Sequence, residues 1–225
     1  MTSNRKQHWE TVYETKNPDQ VSWTQDKPKT SLEFIRSFNL EKTAKIIDIG
    51  GGDSRLVDYL IDDGYQNITV LDISSKSLEK AKKRLGKKAD NVNWITCDIT
   101  EFKPNEKYDF WHDRAAFHFL TTPEPAFITH KRFHDRAAFH FLTTPEDIKK
   151  YEKTASVSVR GFMTIGTFSK NGPLKCSGLE ITQYNENDLS DVFQNNFERL
   201  NCVTEDHTTP FDTTQNFLFC SFKKR

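Results

Sequence analysis

Asp48, Gly50, Gly51, Gly52 and Asp72 place a strand-end acid, a glycine turn and a second acid twenty residues after Gly52. A carboxylate beside a glycine turn attracts an amino group, and one at the next strand end can accept both hydrogen bonds of a ribose diol. Glycines let the backbone come within contact distance of a ligand, and the helix that follows aims its free N–H groups at the same place. The elements that must position these groups surround them. Ile46, Ile47 and Ile49 are a β-branched run short enough for a strand buried on both faces. Leu56, Val57, Leu60 and Ile61 give the next helix an apolar stripe, Gly64 sits where it stops, and Ile68 to Leu71 form a second strand ending in Asp72.

A glycine turn with a downstream acid is common to many nucleotide sites, so its details decide the ligand. Where a dinucleotide site wants a third glycine for close helix packing, this chain has Arg55, and Asp48 just before the turn would repel a pyrophosphate. S-adenosylmethionine carries an α-amino group and a ribose diol but no phosphate, and it fits this pattern better than NAD.

With 225 residues, one domain spanning the whole chain can bury a full core. Thirty-two basic and thirty-two acidic residues cancel, which leaves no global electrostatic footprint for nucleic acid. No apolar run approaches the roughly 20 residues needed to cross a bilayer, and the first residues lack a signal-peptide core, so the expectation is a cytoplasmic protein without membrane or nucleic-acid partners. Cys97, Cys176, Cys202 and Cys220 are widely spaced, which suggests neither a zinc cage nor a disulfide framework. Downstream, strands and helices alternate. A helix is expected over Ser77 to Leu85, strands over Val92 to Thr96, Tyr108 to Trp111 and Gly161 to Phe168, a helix over Glu186 to Phe197, and final strands over Arg199 to Glu205 and Asn216 to Phe222. Trp9, Val12 and Tyr13 mark an early helix and Ser31 to Phe38 another, with Thr30 as a cap, so that residues 1–40 cover the cleft. Such alternation gives a parallel sheet sandwiched by helices.

These residues resemble the class I S-adenosylmethionine-dependent methyltransferases. Asp48-Ile49-Gly50-Gly51-Gly52 is similar to their first motif, Asp72 to the ribose-binding acid, and Cys97-Asp98-Ile99 to the segment whose acid meets the adenine amine. Val21-Ser22-Trp23, Gly64 to Ser74, Trp111-His112-Asp113-Arg114 and Gly172 to Leu179 resemble a bacterial branch. The Gly64 to Ser74 block is also similar to enzymes that methylate lysines of elongation factors or citrate synthase. The resemblance implies an α/β fold: a Rossmann-like seven-stranded methyltransferase sheet with helices on both faces and the last strand antiparallel. It also implies S-adenosyl-L-methionine as cofactor, held by Asp48, Gly50, Gly51, Gly52, Asp72, Ile73, Asp98 and Ile99; Trp23 would either close over the sulfonium by cation–π attraction or pack within the lid.

One feature falls outside that pattern. His112 to Glu124 recurs unchanged as His134 to Glu146, thirteen residues at an offset of 22, within a duplicated segment spanning 112–146. Two copies do not make a repeat array. A local duplication or an engineered insertion fits, and deleting Pro125 to Glu146 restores a direct run into Asp147. Copy one follows Tyr108-Asp109-Phe110-Trp111, whereas copy two follows His130-Lys131-Arg132-Phe133 and would bury a basic pair. Copy one is therefore expected in the sheet. Copy two then extends the following helix, packs on the surface or swaps into a second chain, so monomer and swapped dimer both stay open.

Methyl transfer is an in-line displacement that chiefly requires positioning. His112, after the fourth strand, is the candidate catalytic residue, as acceptor contact or base; the competing reading has it bonding backbone. Asp113 and Arg114 would pair with each other or fix a loop. Cys176 and His207 read as incidental. No metal site is expected. The leading function is methyl transfer to a small-molecule acceptor. The absence of Asn/Asp-Pro-Pro-Tyr after strand four argues against amino-adenine chemistry. The alternatives are a protein-lysine methyltransferase, or a cofactor-binding protein whose acceptor site the duplication has altered.

Overall fold

A computed structural model describes residues 2–15, 26–114, 142–176, 179–208 and 213–225. In chain order the elements are α1 (Thr2–Thr15), α2 (Lys29–Ser37), β1 (Lys45–Ile49), α3 (Leu56–Asp62), β2 (Asn67–Asp72), α4 (Ser75–Leu85), β3 (Val92–Thr96) and β4 (Tyr108–Arg114). There follow α5 (Pro145–Ser158), β5 (Val159–Phe168), β6 (Lys175–Cys176), β7 (Leu179–Glu180), α6 (Glu186–Phe193), β8 (Phe197–Thr208) and β9 (Thr214–Lys224).

The main sheet has seven strands in the order β3-β2-β1-β4-β5-β9-β8, and β6 and β7 form a separate ribbon. The first five strands of that order are parallel, while β9 runs antiparallel to both β5 and β8. This is the expected α/β, Rossmann-like sheet. The order reverses between β1 and β4, and such a reversal opens a crevice at the carboxyl ends of the strands.

Strand alternation divides the core in two. On one face Ile47, Trp111, Met163, Ile165 and Leu218 pack with Tyr151 of α5 and Phe193 of α6. On the other Ile46, Val70 and Phe110 pack with Leu32 and Ile35 of α2 and with Val57 and Leu60 of α3. Phe38, just past α2, stacks on Phe162 at 4.2 Å and meets Phe110 at 5.7 Å. A smaller cluster of Trp9, Tyr13, Phe34, Ile73, Phe168, Phe217 and Phe219 fixes α1 above the strand ends. Among the described residues no helix is long and apolar enough to cross a membrane.

Four expectations change. The helix from Glu186 ends at Phe193, where the Asn196 amide bonds back to the Phe193 carbonyl, and Phe197 opens β8 instead; asparagines favour turns over helix interiors. Thr30 lies inside α2 and its hydroxyl donates to the Glu205 carboxylate, so it is no cap; Pro28 occupies that position without a side-chain bond. Cys202 and Cys220, opposite each other across β8 and β9, are disulfide-bonded. Their spacing of 18 says nothing of cross-strand register, which is why the sequence reading missed the bond. Finally, β4 extends three residues beyond Trp111, and Asp113 and Arg114 fall on opposite faces of it, so they do not pair with each other.

Copy one thus supplies His112, Asp113 and Arg114 to β4. Copy two supplies Thr144, whose side chain accepts from the Asp147 amide at the start of α5, and Leu142, which is buried. Residues 115–124 of copy one and 134–141 of copy two lie outside the described residues, as does Trp23.

Candidate cofactor site

The glycine turn is pinned to β2 by the Gly50 and Gly51 amides, which both donate to the Leu71 carbonyl, at 2.7 and 3.2 Å. Gly50 and Gly52 have φ of 66° and 44°, in the left-handed region that favours glycine. A Cβ on Gly51 would lie 2.6 Å from Asp48 Oδ2 and 2.7 Å from Val70 Cγ1; one on Gly52 would lie 2.9 Å from the Tyr13 hydroxyl and 3.0 Å from Asp72 Oδ2. Asp48 and Asp72 therefore both direct an oxygen at the turn, from either side of it. Arg84 of α4 fixes the way out of the turn, donating to the side chains of Asp53 and Asp58 and to the Ser54 carbonyl.

Asp48 is 3% exposed and His112 1%. They are register partners on β1 and β4, and His112 Nδ1 lies 2.7 Å from Asp48 Oδ1. His112 bonds a carboxylate, not the backbone, and its buried Nε2 has no partner among the described residues. Asp72 accepts from the Ser74 amide at 2.8 Å. Burial raises its pKa to about 7, against the hydrogen bonds from Ser74 and Ser77 and with a further push from the charges of Asp48 and Glu10. Asp98 Oδ1 accepts from the Thr100 amide and hydroxyl at 2.9 and 2.7 Å, closing a turn after β3. Ile99 is buried beneath it, and Ile73 packs against the α1 cluster.

Two residues of α1 escaped the sequence reading, which valued the helix only for its apolar positions. Tyr13 brings its hydroxyl to the glycine turn, and burial, then the charges of Asp72 and Asp53, raise its pKa well above the ordinary value. Glu10 accepts from the Ser75 and Lys76 amides at 2.8 and 3.1 Å and from the Ser74 and Ser75 hydroxyls, which ties α1 to the N-terminus of α4. Burial pushes the Glu10 carboxyl up, but those bonds outweigh it and leave the group below its usual value. A glutamate ahead of the sheet gives no local sign that it will cap a helix some sixty residues later.

Beyond His112 the same face carries Arg114. Burial pulls its guanidinium below the usual arginine range, while the charges of Glu205 and Asp48 oppose this. Further along the strand ends, Gln215 is buried with both amide atoms unpartnered among the described residues. Asp113 faces α5, where it accepts from the Tyr151 hydroxyl at 2.6 Å; that hydroxyl accepts from Trp111 Nε1 at 2.9 Å.

Two acids converging on a turn with no room for a side chain fit a ligand bearing an amine and a ribose diol. The family described as a methyltransferase domain matches residues 46–133 of this sequence. Over 81 residues the chain is 37% identical to a malonyl-[acyl-carrier protein] O-methyltransferase of Anoxybacillus flavithermus, covering 35% of this chain and 30% of that protein. The chain is thus similar in sequence to S-adenosylmethionine-dependent methyltransferases over its first sheet half. Over 120 residues it is 25% identical to a mouse eEF1A lysine and N-terminal methyltransferase, covering 52% of this chain and 17% of that protein. The chain thus spans less than a third of the length of either curated relative. The fold is shared with a Burkholderia thailandensis 1,6-didemethyltoxoflavin-N1-methyltransferase, solved with its substrate and S-adenosylhomocysteine, at a TM-score of 0.64 and 14% identity over 99% of this chain and 88% of that one. That structure and a Bradyrhizobium japonicum N-methyltransferase of the same fold were both solved with S-adenosylhomocysteine bound.

Proposed function

We propose that the protein is an S-adenosylmethionine-dependent methyltransferase that transfers the methyl group to a small-molecule acceptor. One observation carries the reading: Asp48 and Asp72 aim carboxylate oxygens at a turn where Gly51 has no room for a Cβ. In this reading Asp72 accepts from the ribose hydroxyls and Asp48 Oδ2 holds the α-amino group. Asp98, Ile73 and Ile99 border the adenine, and the amides of Gly50, Gly51 and Gly52 shape the floor. When bound, the cofactor supplies an activated methyl on a sulfonium, and the protein has only to align an acceptor with it. His112 serves as a positioning residue, because its Nδ1 bond fixes the Asp48 carboxylate.

The acceptor side lies over the ends of β4, β5 and β9, where Gln215 offers a polar contact beside the apolar rings of Phe168 and Phe217. A small acceptor is supported by the small-molecule substrate of the Burkholderia fold relative. Likeness to the eEF1A enzyme favours a second reading, in which the acceptor is a protein amine. We expect no nucleic-acid or membrane partner.

Calorimetric titration with S-adenosylhomocysteine, on the full chain and on a version lacking Pro125 to Glu146, tests the cofactor site. Binding by both supports it, binding only after deletion shows that the duplication disables the cleft, and folded proteins that bind neither way overturn it. Labelled methyl transfer into extract separates the acceptors. Label in the acid-soluble fraction supports a small molecule, label in precipitated protein supports the second reading, and cofactor binding without transfer leaves a binding protein.

A further inference from the structure

The cofactor's methionine end is a zwitterion, with an ammonium and a carboxylate on one carbon, and so far only the ammonium has a partner. The β1–β4 register indicates where the other charge goes. Asp48 pairs with His112 and Ile49 with Asp113, so Arg114 stands one residue past the last position of β4 paired with β1, at the strand end where Gly50 opens the turn. Alternation puts Arg114 on the same face as His112, and on β5 its partner is Gly166, which offers no side chain to engage it.

The other described arginines around the turn are occupied. Arg84 is held by Asp53 and Asp58, and Arg55 pairs with Asp26 at 3.6 Å. Arg114 has no ion-pair partner within 4.0 Å among the described residues. Asp48 gives one oxygen to His112, and Glu205, the other acid within electrostatic reach, is engaged by the Thr30 hydroxyl. A half-buried guanidinium flanking the turn, close to the acid that takes an amine but not paired with it, is the counterpart a carboxylate requires.

We propose that Arg114 binds the α-carboxylate of the cofactor's methionine end and, with Asp48, forms a zwitterion site across the β1–β4 seam. The inference rests on the cofactor reading above, and its test separates the two. Two ligands are titrated calorimetrically into the full chain: S-adenosylhomocysteine, and 5′-deoxy-5′-(3-aminopropylthio)adenosine, which keeps the amine, ribose and adenine but lacks the carboxylate. The unaltered protein should bind the first about 10- to 100-fold more tightly, as suits a charge-assisted hydrogen bond. Arg114→Gln should bind both alike, and Arg114→Lys should keep part of the preference. Asp48→Asn should weaken both by a similar factor.

Equal affinity of the unaltered protein for the two ligands overturns the assignment while leaving the cofactor site standing. Failure to bind either overturns the cofactor reading itself. Arg114→Gln that weakens both ligands equally and preserves their ratio shows Arg114 to be structural. Should that variant not fold, the ratio in the unaltered protein and its reduction in Arg114→Lys decide the matter.

Discussion

The two faces of β4 put one four-residue run to opposite uses. Toward the cover helices, the buried His112 Nε2 has no hydrogen-bond partner, and the Arg114 guanidinium no ion-pair partner, among the described residues. Toward α5, Trp111 and Asp113 meet on the Tyr151 hydroxyl. A structural face satisfies its polar groups internally, because a buried unsatisfied group costs about 1–3 kcal/mol; a binding face keeps some unsatisfied until a ligand arrives. The difference teaches that the Trp-His-Asp-Arg motif is two interleaved pairs, one bonded into the fold through Tyr151 and one turned toward the candidate site.

The strongest way to break the comparison is to fill the turn. Gly51→Val would collide with Asp48 and Val70, and S-adenosylhomocysteine affinity should fall more than about 100-fold, on the order of 3 kcal/mol, in calorimetric titration. The same collision with the buried Val70 should also lower the melting temperature, so affinity is compared at a temperature where the variant is folded. On the opposite face the pattern inverts. Tyr151→Phe removes the hydroxyl shared by Trp111 and Asp113 and should cost about 1–3 kcal/mol in chemical denaturation, with ligand affinity unchanged. A large loss of affinity there would mean that the two faces are not independent.

Protonation sharpens the contrast. Asp72 has a pKa of about 7 in the ligand-free protein and must be ionised to accept both ribose hydroxyls. S-adenosylhomocysteine affinity should therefore drop about tenfold from pH 8 to pH 6, and Asp72→Asn should abolish that dependence while weakening binding. For stability the sign is opposite to the usual carboxylate case. The folded pKa is raised, so stability is fully present below the unfolded value near 3.8 and is lost as pH rises through about 7. Asp72→Asn should then stabilise the ligand-free protein at pH 8 relative to pH 4, as thermal melts at the two values would show. The smallest effect belongs to the duplication. Removing Pro125 to Glu146 shortens the β4–α5 connection from thirty residues to eight, worth about 1 kcal/mol of loop-closure entropy, and should leave ligand affinity intact.

The cofactor half was legible because its chemistry is local. Asp48, the glycines and Asp72 fall on consecutive elements, and the period of the apolar residues names each element. The antiparallel end was less so. The Cys202–Cys220 bond, the reach of Thr30 to Glu205 and the early start of β8 depend on which strands become neighbours, and pairing across many residues leaves no periodic trace. Tyr13 and Glu10 were hidden for the same reason, since a polar residue on a helix shows its partner only once that helix has docked. Alternation along β4 could have separated Asp113 from Arg114 beforehand, had the strand been taken past Trp111.

The split of the duplication between β4 and α5 also bears on inheritance. Because the two copies match letter for letter, every excision of twenty-two residues that begins between His112 and Pro125 yields one and the same shorter protein. Where the coding sequences of the copies match as well, misalignment of one with the other during replication would erase the insert at any of these junctions, and each erasure leaves a single run to serve both the strand tip and the helix cap. Such a lineage could lose the extra residues in one event without ever passing through a chain that lacks either part.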